Sequence, residues 1–426
     1  MEKLAIEGGK PVRKTPMPAR IMFDEREKRA VLRLFKREME KGGGFDRYGG
    51  VEVDTYEKEF AECFGVRFAT AVSSGTAAIH SAIGALHLEP GSEIITTPIT
   101  DPGTVSPILF QQCIPVFADV EYETLNISPA SIEKNITEKT KAIIVVHLAG
   151  TPARIEEILK IARKYNLYVI EDCAQAHGVK YKGKYVGSFG DMGCFSLMSG
   201  KHTTSGGQGG MVITNNEDLY WNAKRFADRG KPFNTSEKTN LFLGLNYRMT
   251  EVEATIGREQ LKKLDKIRKK RAWIYSELSK AFERELSAFR LWKILPAAEP
   301  NPWFCFVRVD KDKLSVDKYA VAQALVKEGI PVGAHYVVPI YKQKWIAERN
   351  TFGTSQLPWS LPGARKIGYE GSCPEAERAL DDHITLYINE RWSKKEVGDI
   401  IKAFVKVEKW IRINQDPSHR KRGNKE

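Results

Sequence analysis

From residue 68 onward, short apolar runs alternate with longer stretches in which apolar side chains recur every three or four positions. The runs 68–72, 93–97, 115–120, 142–148, 168–172, 193–197 and 211–214 fit buried strands, while 76–88 and 154–165 fit helices with one apolar face. Strands separated by helical stretches predict a mainly parallel sheet with helices on both faces. A long helix is expected over 248–278, with Ile256, Gln260 and Leu264 at helical spacing and basic residues gathered towards its end, leaving the sheet domain. Beyond about residue 286 the pattern changes to a strand at 303–309 and helices at 318–328 and 394–410, a smaller α+β unit. The run Gly42 to Gly44 marks a break ahead of the main domain. The expected organisation is a segment 1–45 associated with the small domain, a large domain 46–265, a small domain 266–412, and a basic tail 413–426 without order.

Composition narrows the class. Hydrophobic residues make up 42% and charged residues 28% of 426, ordinary globular usage that excludes fibrous and mostly disordered chains. The greasiest short run, 142–149, is far shorter than the roughly 18 to 20 apolar residues that span a bilayer, and 1–18 lacks the apolar core of a signal peptide. No membrane partner and a cytoplasmic location are expected. Six scattered cysteines without a CxxC pair indicate neither a disulfide scaffold nor a metal cluster. The net charge of +12 favours anionic partners without saying which.

Three stretches carry candidate chemistry. In 68–80, FATAVSSGTAAIH, a strand ends in Ser-Ser-Gly-Thr and a helix starts at once, so free N–H groups, Gly75 and the Thr76 hydroxyl suit a phosphate. Plain helix capping by Ser and Thr reads the same way. In 168–178, YVIEDCAQAHG, a strand ends in Glu171 and Asp172, where ligands of open α/β sheets bind; a cap or surface ion pair is the alternative. In 194–210, CFSLMSGKHTTSGGQGG, Lys201 follows Ser196 by five residues within a glycine-rich loop, a setting for a desolvated amine that forms a Schiff base. The glycine spacing matches neither nucleotide loop.

Together, and in this order, the three stretches resemble the DegT/StrS-type sugar aminotransferases, and the likeness runs from about residue 4 to 408. The resemblance implies a fold-type-I aminotransferase: a large domain with a mainly parallel mixed sheet plus a smaller α+β domain, using pyridoxal 5'-phosphate. It implies that Lys201 holds the cofactor and shuttles a proton, that Asp172 pairs with the pyridinium nitrogen, and that Gln175 lies near the phenolic oxygen. The resemblance also implies that Gly75, Thr76 and Ser196 hold the phosphate. The stretch 243–250, LGLNYRMT, is similar to the segment whose Asn reaches the neighbouring subunit's phosphate, so Asn246 implies a homodimer. His202 beside the lysine is set apart from the dehydratase relatives, which carry His at the Schiff-base position itself. In 97–104, TPITDPGT, Asp101 stands near the place where many relatives stack an aromatic ring on the cofactor. Inositol-type members look similar here, which leans towards a cyclitol ketone or related keto-sugar, with glutamate or glutamine as donor. Arg248 is a candidate for the donor carboxylate, with a structural ion pair as alternative; His335 and Tyr336 match a segment at the mouth of the site.

Two other readings compete. A non-catalytic or regulatory cofactor-binding protein of the same fold has no physical need to keep both Lys201 and Asp172. Nucleic-acid binding is suggested only by basic runs such as 262–271, which no recognised module accompanies.

Overall fold

The computed structural model describes residues 2–314 and 316–415. The seven apolar runs are seven strands of one sheet, two with the expected ends and the others shifted by up to three residues: β1 (Phe68–Val72), β2 (Glu93–Thr96), β3 (Ile114–Phe117), β4 (Thr140–Val146), β5 (Tyr168–Asp172), β6 (Met192–Ser196) and β7 (Gly210–Thr214). Their order is β1-β7-β6-β5-β4-β2-β3. Strands β6, β5, β4, β2 and β3 run parallel, and β7 is antiparallel to both β6 and β1.

Successive side chains of a strand face opposite ways, so a sheet covered on both sides needs apolar residues at every position. Ile144 and Ile170 turn to one face with Ala78 and Ile83 of α3 (Gly75–Ala85). Their neighbours Ile143 and Val169 turn to the other, against Ile155 and Ile158 of α6 (Ile155–Tyr165). Ser74 caps α3 by accepting the Ala77 N–H at 3.0 Å, which fixes where that helix begins.

The single long helix expected over 248–278 is two helices, Glu251–Leu261 and Leu264–Glu285. Thr250 and Glu253 form a capping box at the first, and the chain turns at 262–263, where Lys263 donates to the Met22 carbonyl and pairs with Asp24 and Glu27. The turn sets the Lys263 amine against the N-terminal segment, a long-range contact that the local pattern does not contain.

A second, antiparallel sheet has the order β8-β9-β11-β10, from β8 (Phe289–Leu291), β9 (Phe304–Val309), β10 (Val332–Gly333) and β11 (His383–Tyr387). Helices Lys318–Lys327 and Lys394–Gln415 belong to this unit, so most of the segment expected as a disordered tail lies outside the described residues. The N-terminal segment is tied to it: the buried Glu328 carboxylate accepts the Ala5 and Val12 N–H groups at 2.8 and 2.9 Å, and Leu4 is buried in the same core. That core also takes in Ile99 and Leu148 beyond the ends of β2 and β4, joining the sheets. Among the described residues no helix is long and apolar enough to cross a membrane, and the six cysteines are free.

Buried imidazoles make stability depend on pH. His80 accepts the Gln111 amide at Nε2 and so donates from Nδ1 to the Tyr247 hydroxyl; burial lowers its pKa to about 4, and that of His383 to about 4 as well. Between the unperturbed 6.5 and about 4 the unfolded chain takes up protons that the folded chain refuses, so stability is lost as pH falls through that window. Urea midpoints are therefore expected to fall steadily from pH 7 to pH 4; a midpoint constant over that range contradicts the assignment.

Candidate active site

Parallel strands end together, and the loops leaving that edge enclose whatever lies between them. Here β1, β5 and β6 and their loops enclose a cavity of about 120 Å³ lined by Gly75, Thr76, Asp172, Gln175, Ser196 and Lys201, with Asp101 and Thr104 from the start of α4 (Pro102–Phe110). Six residues singled out from three separate stretches of sequence thus share one cavity.

At one end α3 begins. A Cβ on Gly75 would lie 2.5 Å from the Ser196 Cβ, so the absent side chain lets the helix N-terminus sit against β6. The Thr76 hydroxyl stands 2.7 Å from where a Cβ of Gly103 would be. This is a space bounded by backbone N–H groups and hydroxyls, suited to a phosphate.

Asp172 is buried and bound at both oxygens, accepting the Ala174 N–H at 3.0 Å and the Thr104 hydroxyl at 2.8 Å. Burial raises its pKa against the pull of those donors and of Lys201. Lys201 is also buried, its Nζ has no hydrogen-bond partner among the described residues, and it sits 3.8 Å from the centroid of the Trp303 ring. Burial lowers its pKa below the usual lysine range, opposed by the charges of Asp172 and Asp101. Gln175 is locked by two bonds, accepting the Ala149 N–H at 2.9 Å and donating to the Tyr336 hydroxyl at 2.6 Å. Tyr336 thereby reaches Gln175 from the segment that follows the small-sheet strand β10.

The remaining sequence candidates lie elsewhere. Arg248 is paired with the buried Asp228 carboxylate, the structural alternative considered for it. His335 is exposed and meets Tyr319 at 5.0 Å, and Asn246 is exposed; neither lines the cavity. His202 is fully buried and does not line it either, leaving Lys201 as the basic group there. Asp101 does line the cavity and caps α4 through the Gly103 N–H at 2.8 Å, and no aromatic side chain is among the lining residues. Sequence reading missed Thr104 and Trp303. Thr104 had a signal, being the last residue of the TPITDPGT stretch, whereas Trp303 had none.

One cluster could be mistaken for a metal site: His147, Glu171 and Cys173 have ligand atoms within 4.8 Å of one another. The His147 and Glu171 atoms are already engaged. His147 Nδ1 accepts the Ala153 N–H, so its Nε2–H donates to Glu171 at 2.8 Å, and Glu171 also accepts the N–H groups of Gly187, Phe189 and Gly190. The cluster is a hydrogen-bonded frame behind the site.

Comparison with known proteins identifies the family. Residues 35–405 match the model of the DegT/DnrJ/EryC1/StrS aminotransferase family. An uncharacterized protein of Methanocaldococcus jannaschii is 33% identical over 370 residues, covering 83% of this chain and 89% of that protein. The GDP-perosamine synthase of Vibrio cholerae is 31% identical over 346 residues, 80% of this chain and 92% of the synthase. Among solved structures, an aminotransferase from Psychrobacter cryohalolentis superposes with a TM-score of 0.80 at 29% identity, over 93% of this chain and 99% of that one. The mixed, mainly parallel sheet with a smaller α+β unit is the fold-type-I arrangement expected from sequence. With its fold, its motif order and a match spanning most of its length, the chain belongs to the DegT/DnrJ/EryC1/StrS family of sugar aminotransferases.

Proposed function

We propose that this chain is a pyridoxal 5'-phosphate-dependent aminotransferase that moves an amino group from an amino acid, glutamate or glutamine, to a keto-sugar, either nucleotide-linked or a free cyclitol of the inosose type. One observation carries the reading: an amine and a carboxylate, both withdrawn from water, line the same cavity as a helix N-terminus opened by a glycine. That donor set fits the cofactor. Gly75, Thr76 and Ser196 would hold its phosphate, Asp172 its ring nitrogen, Gln175 its phenolic oxygen and Lys201 its carbonyl carbon.

When bound, pyridoxal phosphate supplies a carbonyl that takes up and returns the amino group and a ring that accepts the electron pair released at the substrate carbon. The chain supplies the rest. Asp172, short of positive charge in its buried place, keeps the proton on the ring nitrogen. Lys201, whose amine burial inclines towards the neutral form, takes the proton from the donor's α-carbon and returns it on the other side of the exchange. Burial of both groups keeps them from bulk water, with the Trp303 ring over the Lys201 amine. The keto-sugar class rests on the family and on the likeness of the 97–104 stretch, which carries Asp101, to its inositol-type members.

We infer further that two copies complete each site. Leu243 and Leu245 precede the exposed Asn246 and are themselves exposed, Leu243 at 89%, and Leu32, Phe35 and Met39 add exposed apolar surface on α1 (Glu25–Lys41). Water is a poor neighbour for such a group of side chains, and a second copy of the chain covers it.

Borohydride treatment of the cofactor-loaded protein should abolish its yellow absorption and fix the cofactor on the peptide containing Lys201; cofactor fixed on any other lysine overturns the assignment. Asp172→Asn should retain folding but slow both half-reactions by about 10²–10⁴-fold. In sedimentation the parent should be a dimer, Leu243→Asp should favour the monomer, and Asn246→Ala should stay dimeric while losing affinity for the cofactor; a monomeric parent that holds cofactor tightly removes the shared site.

A further inference from the structure

The loop between β6 and β7 presents Lys201, yet it gives its own backbone few partners at that point. Gly200 has a φ of +97°, a left-handed conformation that turns successive carbonyls outward. The carbonyls of Gly200, Lys201 and His202 are all taken by one side chain from the N-terminal segment: Arg20 donates from Nη1 to Gly200 at 3.2 Å and to Lys201 at 2.6 Å, and from Nη2 to His202 at 2.6 Å.

Arg20 is itself held. Its Nε donates to Glu390, just past β11, at 2.7 Å, and the other Glu390 oxygen accepts from Arg271 at 2.9 Å. Arg271, almost fully buried, donates onward to the carbonyls of Pro302 and Trp303, each at 3.0 Å. The indole N–H of Trp303 returns to the Gly200 carbonyl at 3.0 Å, and its ring lies over the Lys201 amine. The path closes on itself: loop, Arg20, Glu390, Arg271, Trp303, loop.

We propose that Arg20 and Trp303, joined through Glu390 and Arg271, are positioning residues for Lys201, Arg20 by fixing the backbone that carries the amine and Trp303 by holding the ammonium against its ring. A planar guanidinium suits the first task because its fork reaches several carbonyls at once. An indole suits the second because its face attracts a cation that no hydrogen-bond acceptor reaches. Glu390 keeps the two arginines from repelling each other: burial works against its ionisation, but Arg271 and Arg20 hold its carboxyl below the usual range. The inference rests on the reading of Lys201 as the amine that bonds the cofactor.

The other charged or titratable groups facing Lys201 are Asp172 at the end of β5, Asp101 at the start of α4, and His177 in the turn after β5. All three stay in place in the variants that test the proposal. The reaction of Lys201 with trinitrobenzenesulfonate is followed against pH in the full-length, cofactor-free protein, the Lys201 peptide being quantified by mass spectrometry. Arg20→Gln frees the loop and lets the amine reach water, so its midpoint should rise towards 10.5, and Glu390→Gln should move it the same way by less. Trp303→Leu removes the attraction for the ammonium, so its midpoint should fall and labelling below the midpoint should increase about two- to fivefold, while Trp303→Phe, which keeps an aromatic face but loses the bond to the Gly200 carbonyl, should fall between Trp303→Leu and the parent. Should Arg20→Gln fail to fold, Glu390→Gln decides. Midpoints that coincide with the parent in folded variants overturn the proposal. The same labelling needs no cofactor, so it is separable from the borohydride test of Lys201 itself.

Discussion

Withdrawing an amine and a carboxylate from water together is the constraint to which the rest of the chain answers. Each buried charge costs several kcal/mol unless its surroundings replace the lost hydration. Asp172 receives a hydroxyl and a backbone N–H in exchange, and Lys201 receives an aromatic face and two carboxylates at a distance. Neither replacement is complete. The remaining imbalance, a carboxylate whose pKa is raised and an amine whose pKa is lowered, is what makes the two groups useful to a molecule that brings its own charges.

Such a pair must not move, and the sheet sees to that from behind. Glu171 and Asp172 are successive residues of β5 and therefore point to opposite faces. Asp172 looks into the cavity while Glu171, with no exposed surface, is gripped by His147 and three backbone N–H groups. Gly187 and Gly190 belong to that grip through their lack of a side chain, since a Cβ on Gly190 would meet the Val169 carbonyl at 2.6 Å. A shift of β5 by one residue would exchange the two carboxylates, and the saturated Glu171 stands against it.

Much of this was legible because local and global signals coincide in an open α/β sheet. Apolar runs mark the strands, and polar residues at the ends of the runs fall at the edge where sites form, so Asp172, Ser196 and Lys201 could be read from spacing and resemblance. The helix after β1 announced itself by Ser74 and Gly75. What escaped was set by partners far along the chain. Trp303 reaches Lys201 from more than a hundred residues away, through the packing of one sheet on another, and no periodicity encodes that. The helix expected over 248–278 turns where Lys263 meets the acidic groups of residues 24 and 27, partners that a local pattern does not contain. Arg248 looked available because its partner Asp228, twenty residues earlier, lies across an isolated bridge region and not on the same helix face.

The closed path through Arg20, Glu390, Arg271 and Trp303 also has a meaning in time. A ribosome delivers Arg20 early, Lys201 midway and Glu390 near the end. Until that last glutamate emerges, Arg20 and Arg271 lack the charge that reconciles them, and the lysine loop lacks its brace. A chain still under synthesis can therefore build the large sheet with its apolar core well before it owns a finished reactive amine: assembly of the scaffold and maturation of the site are separated by the length of the chain.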